Sequence, residues 1–322
     1  MFEPYLFKPH SLLVLYGGVL ADVVFGDRNH PWHPIRLMGA AISFCEKMSA
    51  ASRLDPMVYG AGMSIGLTTF TFLGVFALSS FLRSVSLLLF LLFSCGCIYF
   101  GLCLRCLAGE AAKVLTPLGK GEMEIARKRL SMLVSRDTTD MDETAICRSL
   151  IETVSENFVD GVCSPFFYAL LGGPAMCMAF KMVSTLDSMV GYQNKKYESL
   201  GKAAARMDDA LNFIPARLSV FIISVAGLLV KGSPPSEVVR GAVRDARLHK
   251  SPNSGFPESA FAHVLGVSLG GPVVYQGALY RFSYINKEGR PPGLDDVRSS
   301  IKLLYVSAGV FYILPLLLVT FA

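Results

Sequence analysis

The residues able to do chemistry gather in four polar islands set in an otherwise apolar chain. The first runs from Asp22 through Gly26-Asp27-Arg28-Asn29-His30 to His33-Pro34-Ile35-Arg36. His30 and His33 are spaced for a shared metal, but Pro31 and Pro34 oppose a regular helix through them. A turn following a membrane span is the simpler reading. The second island extends from Ser135-Arg136-Asp137-Thr138 to Glu152, Glu156, Asn157 and Asp160. Ile146, Cys147, Leu150, Ile151, Val154 and Phe158 recur at steps of three and four, which predicts an amphipathic helix. Glu152, Glu156 and Asp160, at i, i+4 and i+8, fall on its other face. Like charges at that spacing cost roughly 0.2–0.5 kcal/mol per pair, so a compensating cation, Mg²⁺ or a nearby Arg, is one explanation and a solvated face the other.

The third island holds Ser184-Thr185-Leu186-Asp187, then Arg206, Asp208, Asp209, Asn212 and Arg217. Asp187 directly follows an apolar segment, where an ionisable group is expensive and usually functional. Arg206, Asp209 and Asn212, three apart, put a cation, an acid and an amide on one helix face, a set suited to phosphate with Mg²⁺; an intrahelical ion pair explains the first two equally well. The fourth island reads Asp245, His249, then Ser251-Pro252-Asn253-Ser254-Gly255-Phe256-Pro257-Glu258. Its small residues between prolines form either a plain turn or a concavity of backbone N–H groups that would bind an anion. No Walker A, Rossmann, HExxH or GxSxG pattern occurs, so a nucleotide would need an uncommon arrangement.

The elements that must position these islands are set by composition. Of 322 residues 52% are hydrophobic and 17% charged, against roughly 25% charged in an average soluble domain; mean hydropathy is +0.47. An ordinary soluble enzyme is excluded. The net charge of +5 argues against nucleic acid, which demands a concentrated basic surface. A bilayer core needs roughly 20 apolar residues per helix. Residues 56–82 and 84–104 are uncharged on either side of Arg83 and predict a transmembrane hairpin, and 303–322 predict a third span. Weaker candidates are 11–25, which contains Asp22; 161–180, broken by Gly172-Gly173-Pro174; 218–230, which is short; and 259–280, which carries His263, Gln276 and the Gly270-Gly271-Pro272 break.

The first apolar stretch reads as a retained anchor, since it runs into Asp22 instead of a small-residue cleavage site. Among eight cysteines the lone CxxC, Cys103 to Cys106, reads as packing. Arg and Lys concentrate in 26–55 and 105–160, which places that side in the cytoplasm by the positive-inside bias. A full crossing by 161–180 would put Lys195, Lys196, Lys202 and Arg206 outside, so that segment is expected to be bent or re-entrant. With no repeat and only 232–235 and 287–294 resembling linkers, residues 1–322 read as one membrane-embedded domain. The expected fold class is an all-α, polytopic helical bundle with amphipathic helices around a polar active site.

Taken together, Arg136-Asp137-Thr138, the segments 152–161, 186–192 and 205–217, and Ser251 to Gly255 resemble, in order and spacing, the cobalamin-biosynthesis CbiB/CobD family, the adenosylcobinamide-phosphate synthases. The resemblance covers nearly the whole chain, from His33 to Gly271. It implies a ligase of the cell membrane that joins (R)-1-amino-2-propanol, or its O-phosphate, to a propionate carboxylate of adenosylcobyric acid, with ATP as co-substrate and Mg²⁺ as cofactor. It selects Glu152, Glu156, Asp160 and Asp187 as catalytic candidates, and Glu152, Glu156, Asp187, Asp208 and Asp209 for Mg²⁺. Substrate and phosphate would engage His33, Arg36, Arg136, Asp137, Thr138, Asn157, Arg206, Asn212, Arg217, Ser251, Asn253 and Gly255. The implied partners are the corrinoid and amine substrates, the bilayer, and further copies of the chain or other pathway enzymes. The chain departs from the family's usual residues at Arg28, Ser184 and His263, which bears on the shape of the site and the choice of amine. A transporter also uses intramembrane acids and broken helices, but these acids cluster with Arg and Asn in islands outside the apolar runs. An Mg²⁺-dependent prenyl or phospho-alcohol transferase would need a second acidic motif besides Asp208-Asp209. A non-catalytic relative of the synthases is opposed by the retained acids.

Overall fold

The computed structural model describes residues 5–8, 10–26, 33–49, 51–192, 194, 196–275 and 277–321. Asp27, Arg28, Asn29, His30 and Pro31 of the first island, with Lys195, Gln276 and Ala322, lie outside them. The α-helices in chain order are α1 (Ser11–Phe25), α2 (Pro34–Ser49), α3 (Pro56–Val85), α4 (Leu87–Gly101), α5 (Leu104–Leu118), α6 (Met123–Leu130), α7 (Glu143–Phe158), α8 (Ser164–Val190), α9 (Lys202–Lys231), α10 (Pro235–Asp245) and α11 (Gly255–Leu265). A two-stranded hairpin, β1 (Leu269–Tyr275) and β2 (Ala278–Ile285), precedes α12 (Leu294–Phe321). The sequence reads as one domain; by contact the described residues group into two compact units built from interleaved segments, the first within Met1–Cys103 and Ser164–Asn212, the second Leu104–Cys163 and Phe213–Phe321.

Among the described residues five helical segments are long and apolar enough to cross a membrane: Pro56–Val85, Leu87–Leu118, Glu143–Val190, Lys202–Lys231 and Leu294–Thr320. The chain is thus a helical, multi-pass membrane protein. Of the most apolar stretch of α3 only 6% is buried, and Phe70 and Phe81 point outward. A face so apolar and so exposed is one that lipid covers. The start of α3 is fixed locally: Pro56 occupies the first turn, and the Asp55 side chain accepts from the Met57 and Val58 amides, satisfying donors that a helix start leaves unpaired.

In the first unit α8 packs on α2, α3 and α4 around Met38, Ile42, Met63, Cys97, Met178, Met182, Leu186 and Val190. The expected break is present as a bend: Gly172 and Gly173 leave helical geometry, Gly173 at φ +67°, a conformation costly for residues with a Cβ, and Pro174 removes a further donor. At Gly60 a Cβ would stand 1.9 Å from the Leu200 carbonyl oxygen. Gly60→Ala is therefore expected to force α3 outward and cost about 1–3 kcal/mol, read as a lowered midpoint of thermal unfolding in detergent.

In the second unit α7 packs against α5, α11 and α12, and its predicted apolar residues, from Ile146 to Phe158, are buried. A π-helical turn, Val159–Cys163, follows it. The candidate span over 259–280 is not one. Helix α11 stops at Gly266, which has φ +67°, and the chain then forms the hairpin, paired Leu269 to Ile285 through Tyr275 to Ala278 with an irregularity between Gly270 and Pro272. Gly270 and Gly271 both have positive φ, which a helix cannot absorb.

Candidate functional site

The second unit builds its polar centre around α7. The α6–α7 loop brings Arg136 to that helix, where its guanidinium donates to Glu152 Oε2 at 2.6 Å and Ser149 Oγ at 3.2 Å. The other Glu152 oxygen accepts from the Gly270 amide at 2.7 Å. Glu152 is therefore buried and fully engaged; of the two explanations of its spacing, a nearby Arg holds for this residue and a solvated face does not. Burial disfavours the Arg136 charge, but the adjacent Glu152 carboxylate outweighs it and holds Arg136 above its ordinary pKa. One turn on, exposed Glu156 accepts from the Ser254 hydroxyl at 2.9 Å.

A third carboxyl, Glu258 on α11, faces the same centre. It is buried, its Oε1 3.5 Å from His249 Nε2. Burial, then the Glu152 and Glu156 charges, push its pKa well up, against the opposing pull of Arg136. Because the folded-state value is raised, the associated stability is complete below the ordinary Glu range and is lost as pH rises through the raised value. Glu258→Gln is expected to flatten that loss in a series of unfolding curves taken against pH.

The loop 249–255 is bonded to itself. The Ser251 amide donates to His249 Nδ1 at 3.0 Å, and the Asn253 and Ser254 amides donate to Ser251 Oγ at 3.3 and 3.2 Å. These N–H groups make a turn, not the anion-binding concavity, because the Ser251 hydroxyl takes them first. Gly255 sits where a Cβ would meet the Ala246 carbonyl at 2.4 Å. Arg217 lies between the Phe213 and Phe256 rings, 3.4 and 4.4 Å from their centroids, and reaches Asn253 Oδ1 at 3.3 Å. Asp137 fastens the hairpin: its amide donates to Val274 O at 2.9 Å and its Oδ2 accepts from Gly277 N at 2.7 Å. Buried Thr138 donates to Arg127 O, Asn157 folds back onto Thr153 O, and Asp160 is half-buried in the π-helical turn.

The first unit carries the remaining predicted residues. Asn212 donates to Asp208 Oδ2 at 2.9 Å, four residues back on α9 and not the three of Asp209, and accepts from Ser164 Oγ. Asp187, Asp209 and Lys181 are the charged neighbours of Asp208. Arg206 is exposed and Asp209 half-buried. His33 is buried edge-on against Phe100, with Nδ1 accepting from the Ile35 amide as α2 begins, and Arg36 projects from that turn. Among the described residues no group of three or more His, Cys, Asp or Glu is disposed to hold a metal ion.

Sequence reasoning gave no role to Glu258, the last residue of the fourth island, or to Arg148. Glu258 is the one charged residue between Lys250 and Arg281, which was the available signal; Arg148, the only basic residue of α7, stands among its acids and carried none. Arg148 lies over the Tyr284 ring, 5.6 Å from its centroid, its Nε buried without a hydrogen-bond partner.

Fold and site define a multi-pass helical membrane protein with carboxylates and guanidinia gathered at a polar centre. The family model for the CobD/Cbib protein matches residues 15–304, and the chain belongs to that family. It is similar to proteins named cobalamin biosynthesis protein CobD: 38% identical to that of Streptococcus sanguinis over 92% of this chain and 94% of that protein, and 39% identical to that of Pelobacter propionicus over 91% of each. The Photorhabdus laumondii protein of that name is 35% identical over 97% of this chain and its own full length. No solved structure matches the chain significantly.

Proposed function

We propose that this protein acts in cobalamin biosynthesis, joining (R)-1-amino-2-propanol or its O-phosphate to the propionate carboxylate of adenosylcobyric acid at the expense of ATP. The observation that carries the reading is the buried group of Arg136, Glu152 and Glu258 beside exposed Glu156, in a chain whose relatives bear a cobalamin-biosynthesis name. A carboxylate does not condense with an amine unaided. In the proposed route a carboxylate oxygen of the corrinoid attacks the γ-phosphorus, ADP departs, and an acyl phosphate results. The amine then attacks the acyl carbon, the C–N bond forms, phosphate leaves, and the nitrogen gives up its proton.

Within this route Arg136 and Arg217 clamp phosphate oxygens, where planar guanidinium geometry matters. Glu152, with both oxygens engaged, holds Arg136 in place. Glu156 takes the proton from nitrogen. Mg²⁺ suits sites that supply only one or two carboxylates and take their other ligands from phosphate and water; Glu156 alone, or Asp187 with Asp208 in the first unit, would hold it, and Asp209 would not complete a three-acid site. When bound, the ion supplies neutralisation of phosphate charge. Asp187→Asn is expected to stop turnover while membrane insertion stays normal, as read by mass spectrometry and membrane fractionation. We place the protein in the cell membrane with 105–160 toward the cytoplasm, by the distribution of Lys and Arg.

The test is reconstitution of the purified protein with adenosylcobyric acid, aminopropanol or its phosphate, ATP and Mg²⁺, with the product identified by mass. An amide carrying the amino alcohol is expected. A folded protein that forms none with any short amino alcohol sinks the reading.

A further inference from the structure

Arg148 is a cation of α7 that the proposed route does not use. Arg136 is matched by Glu152 at 2.6 Å, but among the described residues no carboxylate pairs with Arg148, and its Nε is buried without a hydrogen-bond partner. A buried donor left without an acceptor is rare in folded proteins and calls for an explanation. The Tyr284 ring, 5.6 Å away, holds the guanidinium by a contact with its π-face. Such a contact leaves the in-plane N–H groups able to grip an oxyanion.

The position is that of the site. Arg148, Glu152 and Glu156 stand at i, i+4 and i+8 and so run along one side of α7. Between the first and the last of them the Arg136 guanidinium bonds to Ser149 and Glu152. The Gly270 amide that closes on Glu152 belongs to the residue paired with Tyr284. Arg148 thus lies one helical turn from the buried ion pair, at the same end of the hairpin.

A guanidinium offers donors and no acceptor, so its ligand is an anion. In the proposed reaction phosphate has two sources, ATP and the amino alcohol O-phosphate, and the spacing favours the second. Arg148 and Glu156, the proposed proton acceptor, are eight residues apart, roughly 12 Å along the axis, and side chains on one helix lean the same way. An amino alcohol O-phosphate holds its nitrogen about 5 Å from phosphorus, and a contact of about 3 Å at each end makes up roughly that interval. We propose that Arg148 holds the phosphate of the amino alcohol O-phosphate while Glu156 takes the proton from its nitrogen, so that Arg148 selects the phosphorylated amine over the free one. This rests on the synthase reading and adds to it the form of amine that the site prefers. Arg148 binds; no bond is made or broken on it.

The test uses full-length protein in nanodiscs with adenosylcobyric acid, ATP and Mg²⁺, and compares kcat/KM for aminopropanol O-phosphate with that for free aminopropanol, the products identified by mass. In Arg148→Gln the preference for the O-phosphate is expected to fall roughly 10–100-fold, the scale of lost charged hydrogen bonds. The fall comes through a higher KM for that amine, while KM for ATP and for the corrinoid hold. Binding of aminopropanol O-phosphate alone, followed by phosphorus NMR, should weaken by the same factor. Arg148→Lys keeps the charge but not the planar fork, so its preference should lie between the two, and it supplies the comparison if the glutamine variant does not fold. An equal loss with both amines overturns the inference in favour of a structural contact with Tyr284. A rise in KM for ATP or for the corrinoid, with the amine preference intact, overturns it in favour of another anion. Unchanged preference in both variants overturns it as well, and so does an unaltered protein that uses the free amine alone. Each of these leaves the synthase reading standing. An unaltered protein that joins neither amine refutes that reading itself.

Discussion

Arg136→Met is expected to abolish amide formation and to lower stability by about 3–5 kcal/mol, the cost of leaving a buried carboxylate without its partner. The side chains of Arg136 and Glu152 are 17% and 6% exposed, so water cannot replace the lost cation. The same guanidinium also offsets the charges around Glu258, and its loss leaves three carboxyls to repel one another. The double variant Arg136→Met with Glu152→Gln separates the two effects. It removes both charges, so most of the stability should return in denaturant or thermal unfolding of the purified protein. Activity should not return, because the proposed phosphate clamp is still missing. A double variant as unstable as the single one would show that the ion pair is not what holds α7, the α6–α7 loop and the hairpin together.

Glu156→Gln has the opposite profile. Its carboxylate is exposed and its one hydrogen bond, from Ser254, can be kept by the glutamine carbonyl, so stability should move by no more than about 0.5 kcal/mol. Turnover should fall about 10²–10⁴-fold, the contribution typical of a positioned proton acceptor, with the loss in kcat and little change in KM. Single-turnover rates of amide formation, followed by mass spectrometry, provide the check. Near-normal turnover would leave Glu156 as a surface acid and shift the proton acceptor elsewhere. The contrast with Arg136 matters: one residue is required for folding and chemistry together, the other for chemistry alone.

Much of this was legible in the residues. The uncharged run from residue 56 announced α3, and the three-and-four spacing from Ile146 to Phe158 announced α7, because run length and periodicity are local properties of the chain. Gly172-Gly173-Pro174 announced the bend in α8 for the same reason. The pattern failed where a local preference met a distant partner. It left Glu152 between a solvated face and a compensating cation; the structure supplies the cation, Arg136 of the preceding loop, and adds the Gly270 amide from a hairpin more than a hundred residues away. It read 259–280 as a helix because apolar content alone does not separate a span from a short helix followed by strands. It left 251–255 as either a plain turn or an anion-binding concavity, and the Ser251 hydroxyl, which takes the Asn253 and Ser254 amides, makes it the turn.

The sequence by itself determined that the protein lives in a membrane, which apolar stretches carry most of its long helices, and which scarce charged residues are available for chemistry. These follow from apolar run length, capping and turn residues, all short-range quantities. Only the tertiary structure decided that Arg136, Glu152, Glu156 and Glu258 share one centre, that Asn212 pairs with Asp208, and that the aromatic hairpin is fastened beside α7. Asp208 and Asn212 are one helical turn apart, but the contacts of Glu152 with Gly270 and of Asp137 with the hairpin join residues far apart in the chain, fixed by the need of each buried charge or amide for a partner, which no local pattern records.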